Sequence, residues 1–373
     1  MKCLLGDIAE VTMGQSPKSE YYNNEGNGIP FLQGNRTFGR RYPTFDTYTT
    51  LATKMAKAGD VIMSVRAPVG DLNFTPVDMC LGRGVCSIRM NNGNQDYLYY
   101  LLKYNMPLLL NKESGTVFGS VNRNDIIGLE VEIEEDANRQ REIARFLSML
   151  DDKIEENEKI NSNLFEQAKT LYKAWFVDFS RFGNVMPSTC KIGKVEDAIE
   201  LHDAKRVPLS SNEREKMDKI YPYYGATSLM DYVDNYLFDG IYLLLGEDGT
   251  VMDDKGYPVL QYIEGRFWVN NHAHILTGKN GFSVEELYLL FSLTNVKNIV
   301  TGAVQQKISQ ANLKKVEIVI PSADLLKEFD DIIQPLFAEI RNNRNEITKL
   351  SSLRDTLLPK LMSGEIDLSN ISI

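Results

Sequence analysis

GTVFGSVNRNDIIGLEVEI (residues 115–133) and GAVQQKISQANLKKVEIVI (302–320) align without a gap at an offset of 187. Working outward, IPFLQGNR (29–36) lies over YPYYGATS (221–228), and YLYYLL (97–102) over YLLFSL (288–293). GDVIMSVRAPVG (59–70) has its counterpart in DGIYLLLGEDGTV (239–251), and CLGRGVCSIR (80–89) in WVNNHAHILT (268–277). Gly6 and Gly193 open the two halves at the first offset. Each match is weak, but their shared order is not. The chain reads as a tandem duplication with halves of about 185 residues.

Each half divides again. Residues 1–139 and 183–321 carry short β-branched and aromatic runs punctuated by Gly, Pro and Asn, the pattern of mixed α+β heads with many loops. Residues 140–182 read as one long helix. Ile143, Leu147, Leu150, Ile154, Asn157, Asn161, Leu164, Ala168, Leu171 and Trp175 recur at alternating spacings of four and three, a heptad seam. Residues 322–373 repeat it with Phe329, Ile332, Leu336, Ile340, Asn343, Ile347, Leu350, Leu357 and Leu361, ending in a tail. Pro335 predicts a short lead-in helix followed by a kink or a fresh start. Asn157 and Asn343 correspond at an offset of 186, and a polar seam residue sets register. An exposed Asn on an imperfect stripe is the alternative. The expected fold is α+β: two globular domains joined by two long helices in an antiparallel coiled coil with an internal pseudo-twofold repeat.

The chain has 373 residues, 41 Lys+Arg, 51 Asp+Glu and 43 % hydrophobic residues, which suits globular domains rather than disorder. No apolar run reaches the ~18 residues of a membrane span, and MKCLLGDIAE lacks a signal-peptide core. Cys3, Cys80, Cys86 and Cys190 form no C-x-x-C and read as thiols of a reducing cytoplasm. The net charge of −10 hides two basic islands. Residues 36–89 hold Arg36, Arg40, Arg41, Lys54, Lys57, Arg66, Arg83 and Arg89 against four Asp, and 255–315 a second cluster. Solvated faces or DNA-facing surfaces would both produce such islands.

Catalytic motifs are missing. There is no P-loop, no Pro-Pro as in amino-methyltransferase motifs, and no Pro-Asp opening a nuclease carboxylate motif. His272 and His274 alternate on an expected strand and point to one face, but no further ligands adjoin them, so no metal is assigned. Asp151, Asp152, Glu155 and Glu156 lie off the seam and read as solvated charge.

GDVIMSVRAPVGDLNF (59–74), LGRGVCSIR (81–89), YLLLGEDGTV (242–251), FWVNNHAHIL (267–276) and the paired segments closing each head resemble the specificity subunits of Type I restriction–modification systems. The resemblance spans essentially the whole chain. It implies two target-recognition domains that each read one half of a bipartite DNA site. The helices would set the spacing and dock two methyltransferase subunits, and two restriction subunits could join. The chain itself would be non-catalytic and without a cofactor. S-adenosylmethionine would belong to the methyltransferase subunits, and ATP and Mg to the restriction subunits. The family's first helix often starts near Pro-x-x-x-Gln; here Gln140 follows Glu134, Glu135 and Asp136 without a proline, which leaves the helix start open. A related methyltransferase-only or Type IIB-like system, or a DNA-independent two-headed scaffold, are the alternatives.

DNA affinity needs Lys and Arg near phosphates, and specificity needs Arg, Gln or Asn at base edges. The candidates in the first head are Gln33, Asn35, Arg36, Arg40, Arg41, Arg66, Arg83, Asn122, Arg123 and Asn124. Those in the second are Thr227, Ser228, Asn270, Asn271, Gln305, Gln306 and Lys307. Glu247 and Asp248 beside them would repel phosphate, so they accept from a base amino group or serve a turn.

Overall fold

The structure is a computed structural model that describes residues 1–111, 119–302 and 305–368. Gly115, Thr116, Val117, Phe118, Ala303 and Val304 of the repeated segments lie outside the described residues. The chain forms two compact units, residues 1–157 with those from 346 onward, and residues 158–345.

In the first unit, β-rich runs make an antiparallel sheet in the order Ala9–Met13, Val85–Met90, Val61–Ser64, Leu72–Phe74. Val61–Ser64 is buried along its whole length, as its unbroken apolar run VIM requires. The helix Gln95–Leu110 supplies Tyr97, Leu98, Leu101 and Leu102 to the same core. A second sheet, of five short strands, places Ile29–Leu32 parallel to Met79–Leu81, pairing Phe31 with Cys80 and Leu32 with Leu81. Lys2–Leu4 pairs antiparallel with Glu130–Glu132, tying the two ends of the domain together.

The second unit repeats the plan. Its strands run Ile199–Leu201, Ala273–Gly278, Phe238–Gly246, Leu260–Val269. In the same six-stranded sheet, Leu260–Val269 also runs parallel to Tyr221–Tyr224, pairing Tyr223 with Trp268 and Tyr224 with Val269. One ten-residue strand thus does the work of Leu72–Phe74 and Met79–Leu81 together. The helix Val284–Ser292 covers the core, and Lys191–Lys194 closes the domain against Glu317–Ile320.

The pairing of Gly6 with Gly193 does not hold. Leu4 N–H donates to Asp7 and Lys194 N–H to Asp197, both at 3.0 Å, so the openings correspond at an offset of 190. Gly6 sits in a short helix against Ile127, and Gly193 in a strand against Ile320. Loop insertions move the offset along the chain.

Both long helices have 40 residues, Ala137–Phe176 and Ala323–Met362. The first needs no proline to start: Asp136 accepts from Asn138 N–H at 2.7 Å and caps it. Gln140 is buried and bonded to the Glu134 carbonyl, Asn92 and Asn94. The helix ends before 182, because Phe179 adopts φ 55° and Ser180–Phe182 form a separate 3-10 turn. The break expected at Pro335 is absent. Pro335 and Asp331 are both exposed, so the Asp331 carbonyl that loses its helical donor is within reach of water.

Within each unit the helix segments run antiparallel. In the first, Asp151 meets Arg354, and Asn157 Nδ2 donates to Glu346 at 2.7 Å. In the second, Asn343 Nδ2 donates to Asn161 at 3.0 Å, while Tyr172 and Trp175 pack on Phe329. Both register asparagines are buried, and Asn157 Oδ1 has no partner among the described residues. An orphaned buried acceptor costs stability and is kept where register matters. The seam departs from the expected one at Ile332, which is 41 % exposed, because Ile333 and Phe337 turn into the core of the second unit. Each such large apolar side chain contributes about 1.5–3 kcal/mol on burial.

Candidate nucleic-acid interface

In the first unit the parallel strand junction gathers loops from distant parts of the sequence. Gly82 N–H donates to Leu32 O (2.7 Å), Gly84 N–H to Gln33 O (3.0 Å) and Val65 N–H to Gly84 O (2.9 Å). Val121 N–H donates to Val65 O (3.1 Å), and Arg66 bridges to Ser120. This approach needs glycine. A Cβ on Gly82 would lie 2.6 Å from Gln33 Cα, and one on Gly84 2.5 Å from Gln33 O. Gln33, Arg66, Arg83 and Ser120 therefore share one loop edge. Arg66 and Arg83 are exposed and make no ion pair among the described residues.

The second unit builds the same edge with other side chains. Asn270 N–H donates to Tyr224 O (3.0 Å), Glu247 N–H to His272 O (2.8 Å) and Ile308 N–H to Glu247 O (2.8 Å). Asp248 pairs with Lys307 across two short strands, as Arg66 does with Ser120. Asn270, Asn271, Asp248 and Lys307 thus stand where the first unit has Gly82, Arg83, Arg66 and Ser120.

The other candidates divide. Asn35 donates to Asp71 (2.5 Å), and Arg36, though exposed, pairs with Asp46 (2.5 Å). Arg36 helps hold the Asp46 carboxyl below its usual range. Arg40 is exposed. Asn122 caps the helix Arg123–Ile127 by accepting from Asn124 N–H and Asp125 N–H, which leaves the Asn124 side chain exposed. Arg123 donates to Val11 O at 3.3 Å. Thr227 and Ser228 are exposed at the turn of the hairpin formed by Tyr221–Tyr224 and Leu229–Val233. Asn270 is buried; its Oδ1 accepts from His272 N–H (2.8 Å) and its Nδ2 donates to Met230 Sδ. Asn271 and Gln305 are exposed, and Gln306 and Lys307 form a short strand.

Arg41 requires a correction. Its side chain is 11 % exposed, and its guanidinium lies on Asp152 and, at 2.6 Å, on Glu155. Burial works against its charge, but the two carboxylates more than offset this and raise its pKa. It is committed to the long helix, not to a phosphate. The reading of the helix carboxylates as solvated charge fails with it for Asp151 and Glu155, while Asp152 and Glu156 are exposed as expected. Asp151 is buried, accepting from Tyr100 Oη (2.7 Å) and pairing with Arg354 (2.5 Å).

Beneath the second edge lies a polar network that the first lacks. His274 is fully buried, with Nδ1 2.6 Å from Asp203 and Nε2 2.8 Å from Ile308 O. Asp203 also accepts from Ile275 N–H and Gln310, and Glu247 pairs with Arg206 (2.6 Å) and Lys307 (3.3 Å). Burial opposes the Asp203 charge, but its bonds hold the carboxyl below its usual pKa. His272 and His274 do not act as a pair. His272 lies in a turn against Asp248, and only His274 is on the strand. Asp203, Glu247 and His274 offer ligand-type atoms within 4.8 Å of one another, but Arg206, Lys307 and Gln310 already engage the carboxylates. In the first unit the matching sheet register pairs Met13 with Cys86.

The edge also contains Gln15 and Ser16, which are not among the residues expected from the sequence. Gly14 N–H donates to Val85 O, Gln15 N–H to Leu81 O, and Ser16 Oγ accepts from Arg83 N–H. Gln15 is exposed at the edge. The Gly-Gln-Ser-Pro turn after a strand was the available signal.

A protein-family profile, "Type I restriction modification DNA specificity domain", matches residues 2–165 and again 187–351. The chain belongs to this family. It is 24 % identical over 401 residues to the type I restriction enzyme MjaIX specificity subunit of Methanocaldococcus jannaschii, across 96 % of this chain and 92 % of that one. A protein of the same archaeon named as the MjaX specificity subunit is 38 % identical over 162 residues, which is 43 % of this chain and 38 % of that protein's length. The crystal structure of the Type I S subunit from M. genitalium aligns over 97 % of this chain and 96 % of its own, with TM-score 0.60 and 17 % identity, which establishes the shared fold.

Proposed function

We propose that this chain is the DNA-reading subunit of a Type I restriction–modification complex, each domain recognising one half of a split site. The observation that carries this is the double match of the specificity-domain family, once per half, on two loop edges built from the same backbone frame. Arg66 and Arg83 meet phosphate or guanine, and Asn271 and Lys307 serve the second half-site. Gln15, Gln33, Asn124, Thr227, Ser228 and Gln305 flank these contacts. The long helices set the gap and dock two methyltransferase subunits, which bring S-adenosylmethionine. ATP and Mg belong to restriction subunits where these join.

Genomic methylation sequencing in a host expressing the chain with its methyltransferase subunit tests this. Two short defined halves around a fixed unspecified gap are expected. An unsplit motif, or methylation unchanged when this chain is omitted, overturns the reading.

A further inference from the structure

The two long helices correspond residue for residue at an offset of 186, so Glu155 of the first matches Arg341 of the second. Both residues tie their helix to the domain of their own unit, with the charges reversed. In the first unit the helix supplies the carboxylate. Arg41 reaches Glu155 at 2.6 Å, with the two side chains 11 % and 17 % exposed. The loop carrying Arg41 is pinned: Phe74 N–H donates to Arg41 O (2.6 Å), and Asn73 exchanges two bonds with Gly39. In the second unit the helix supplies the guanidinium. Arg341 reaches Glu285 at 2.9 Å and Tyr262 Oη at 2.6 Å, and Tyr262 Oη donates to Glu285 at 2.5 Å. Tyr262 thus belongs to the second clamp itself, whereas in the first unit the domain tyrosine Tyr100 bonds Asp151, one helical turn before Glu155.

We infer that position 155/341 is a polarity-matched clamp, which holds each domain in a defined orientation on its helix and rejects a domain bringing the same charge. Like charges meeting in so little solvent are strongly unfavourable, and a single buried ion without its partner is costly. Glu155, Arg41, Arg341 and Glu285 are positioning residues. They touch no DNA; they keep the loop edge where the half-site falls, so the gap between half-sites is their readout. This rests on the split-site reading above.

The test uses the full chain expressed with its methyltransferase subunit and reads genomic methylation. Glu155→Arg is expected to lower the methylated fraction of motif sites about tenfold or more. Adding Arg41→Glu restores it to within about threefold, with the wild-type gap. Glu155→Gln keeps both half-site sequences but admits gaps one base pair longer or shorter, which loss of general stability would not produce. The clamp is overturned if Glu155→Arg methylates as wild type, if the double variant does no better than the single, or if Glu155→Gln keeps one gap. Should Glu155→Arg be insoluble, recovery of soluble chain in the double variant supports the clamp, and continued insolubility overturns it. If wild type itself yields no split motif, it is the DNA-reading proposal that fails. The clamp is then decided by a thermal double-mutant cycle on the full chain, where coupling of Arg41 to Glu155 supports it and additivity overturns it.

Discussion

The loop edges of the two domains share a backbone and little else. Corresponding strands bring corresponding loops together, yet the first edge presents Arg66 and Arg83 where the second has Asp248 and Asn271. Below them, an apolar Met13–Cys86 pair stands in the first domain where Asp203 and His274 meet in the second. A duplicated frame has been kept while both the side chains on its edge and their support differ, which, on the proposed function, is how one fold can serve two different half-sites.

The largest way to break this comparison is at the junction. Gly82→Val drives a side chain into the Gln33 backbone and should cost about 3–5 kcal/mol, seen as a lowered unfolding midpoint and loss of motif methylation. Asn270→Ala, at the matching position where a side chain already fits, should cost about 1–2 kcal/mol for the lost acceptor of His272 N–H. Equal effects would mean the frames are not equivalent.

The supports come next. Asp203→Ala should destabilise by about 2–4 kcal/mol, measured by denaturant unfolding, because it strips partners from buried His274 and from Arg206. Asp203→Met with His274→Cys, copying the first domain, should recover most of that. Because the folded pKa of Asp203 is depressed, its contribution is present above the ordinary carboxylate pKa and is lost as pH falls through the folded value. The wild-type acid-unfolding slope below about pH 4 should therefore be shallower in the double variant.

The helices laid on the two sheets differ too. Val284–Ser292 starts with a capping box in which Glu286 Oε2 accepts from Ser283 N–H, while its buried Oε1 has no partner among the described residues. Burial lifts this carboxyl to about 8. A raised acid favours folding when protonated, so its contribution is full below about pH 4.5 and is lost as pH rises through about 8. Glu286→Gln, which keeps the cap acceptor, should flatten that slope and stabilise the chain by about 1–3 kcal/mol at pH 8 in thermal melts.

The smallest effects sharpen the comparison of surfaces. Arg66→Ala and Arg83→Ala should each weaken DNA binding, uniformly across sequences with the salt slope reduced by about one where the arginine meets phosphate, and with one guanine position relaxed where it meets a base. Asn271→Ala should leave the slope alone and relax one base of the second half-site, measured by binding to a substituted-site panel.

The duplication, the α+β heads and the two long helices were legible in the sequence because a repeat and a heptad seam are local patterns. Pro335 misled because proline chemistry depends on which face meets solvent. Asp151 and Glu155 looked solvated because a helical wheel records only the partner helix, whereas here the domain packs on a second face. Arg41 could not be separated from its neighbours Arg36 and Arg40, since its partners lie more than a hundred residues away. The edge itself emerged in part, as glycines around Arg83, but Gln15 joins it only through strand pairing.

The division between the compact units falls inside both long helices, after Asn157 and after Asn345, and not in a linker. This has a consequence for inheritance. A crossover exchanging residues 158–345 as a block moves a recognition domain together with Arg341, Glu285 and the Asn161–Asn343 bond. A crossover placed at the helix ends separates the domain from the residues that orient it. A chimera joined in the middle of the helices is therefore expected to fold and methylate better than one joined at the helix ends.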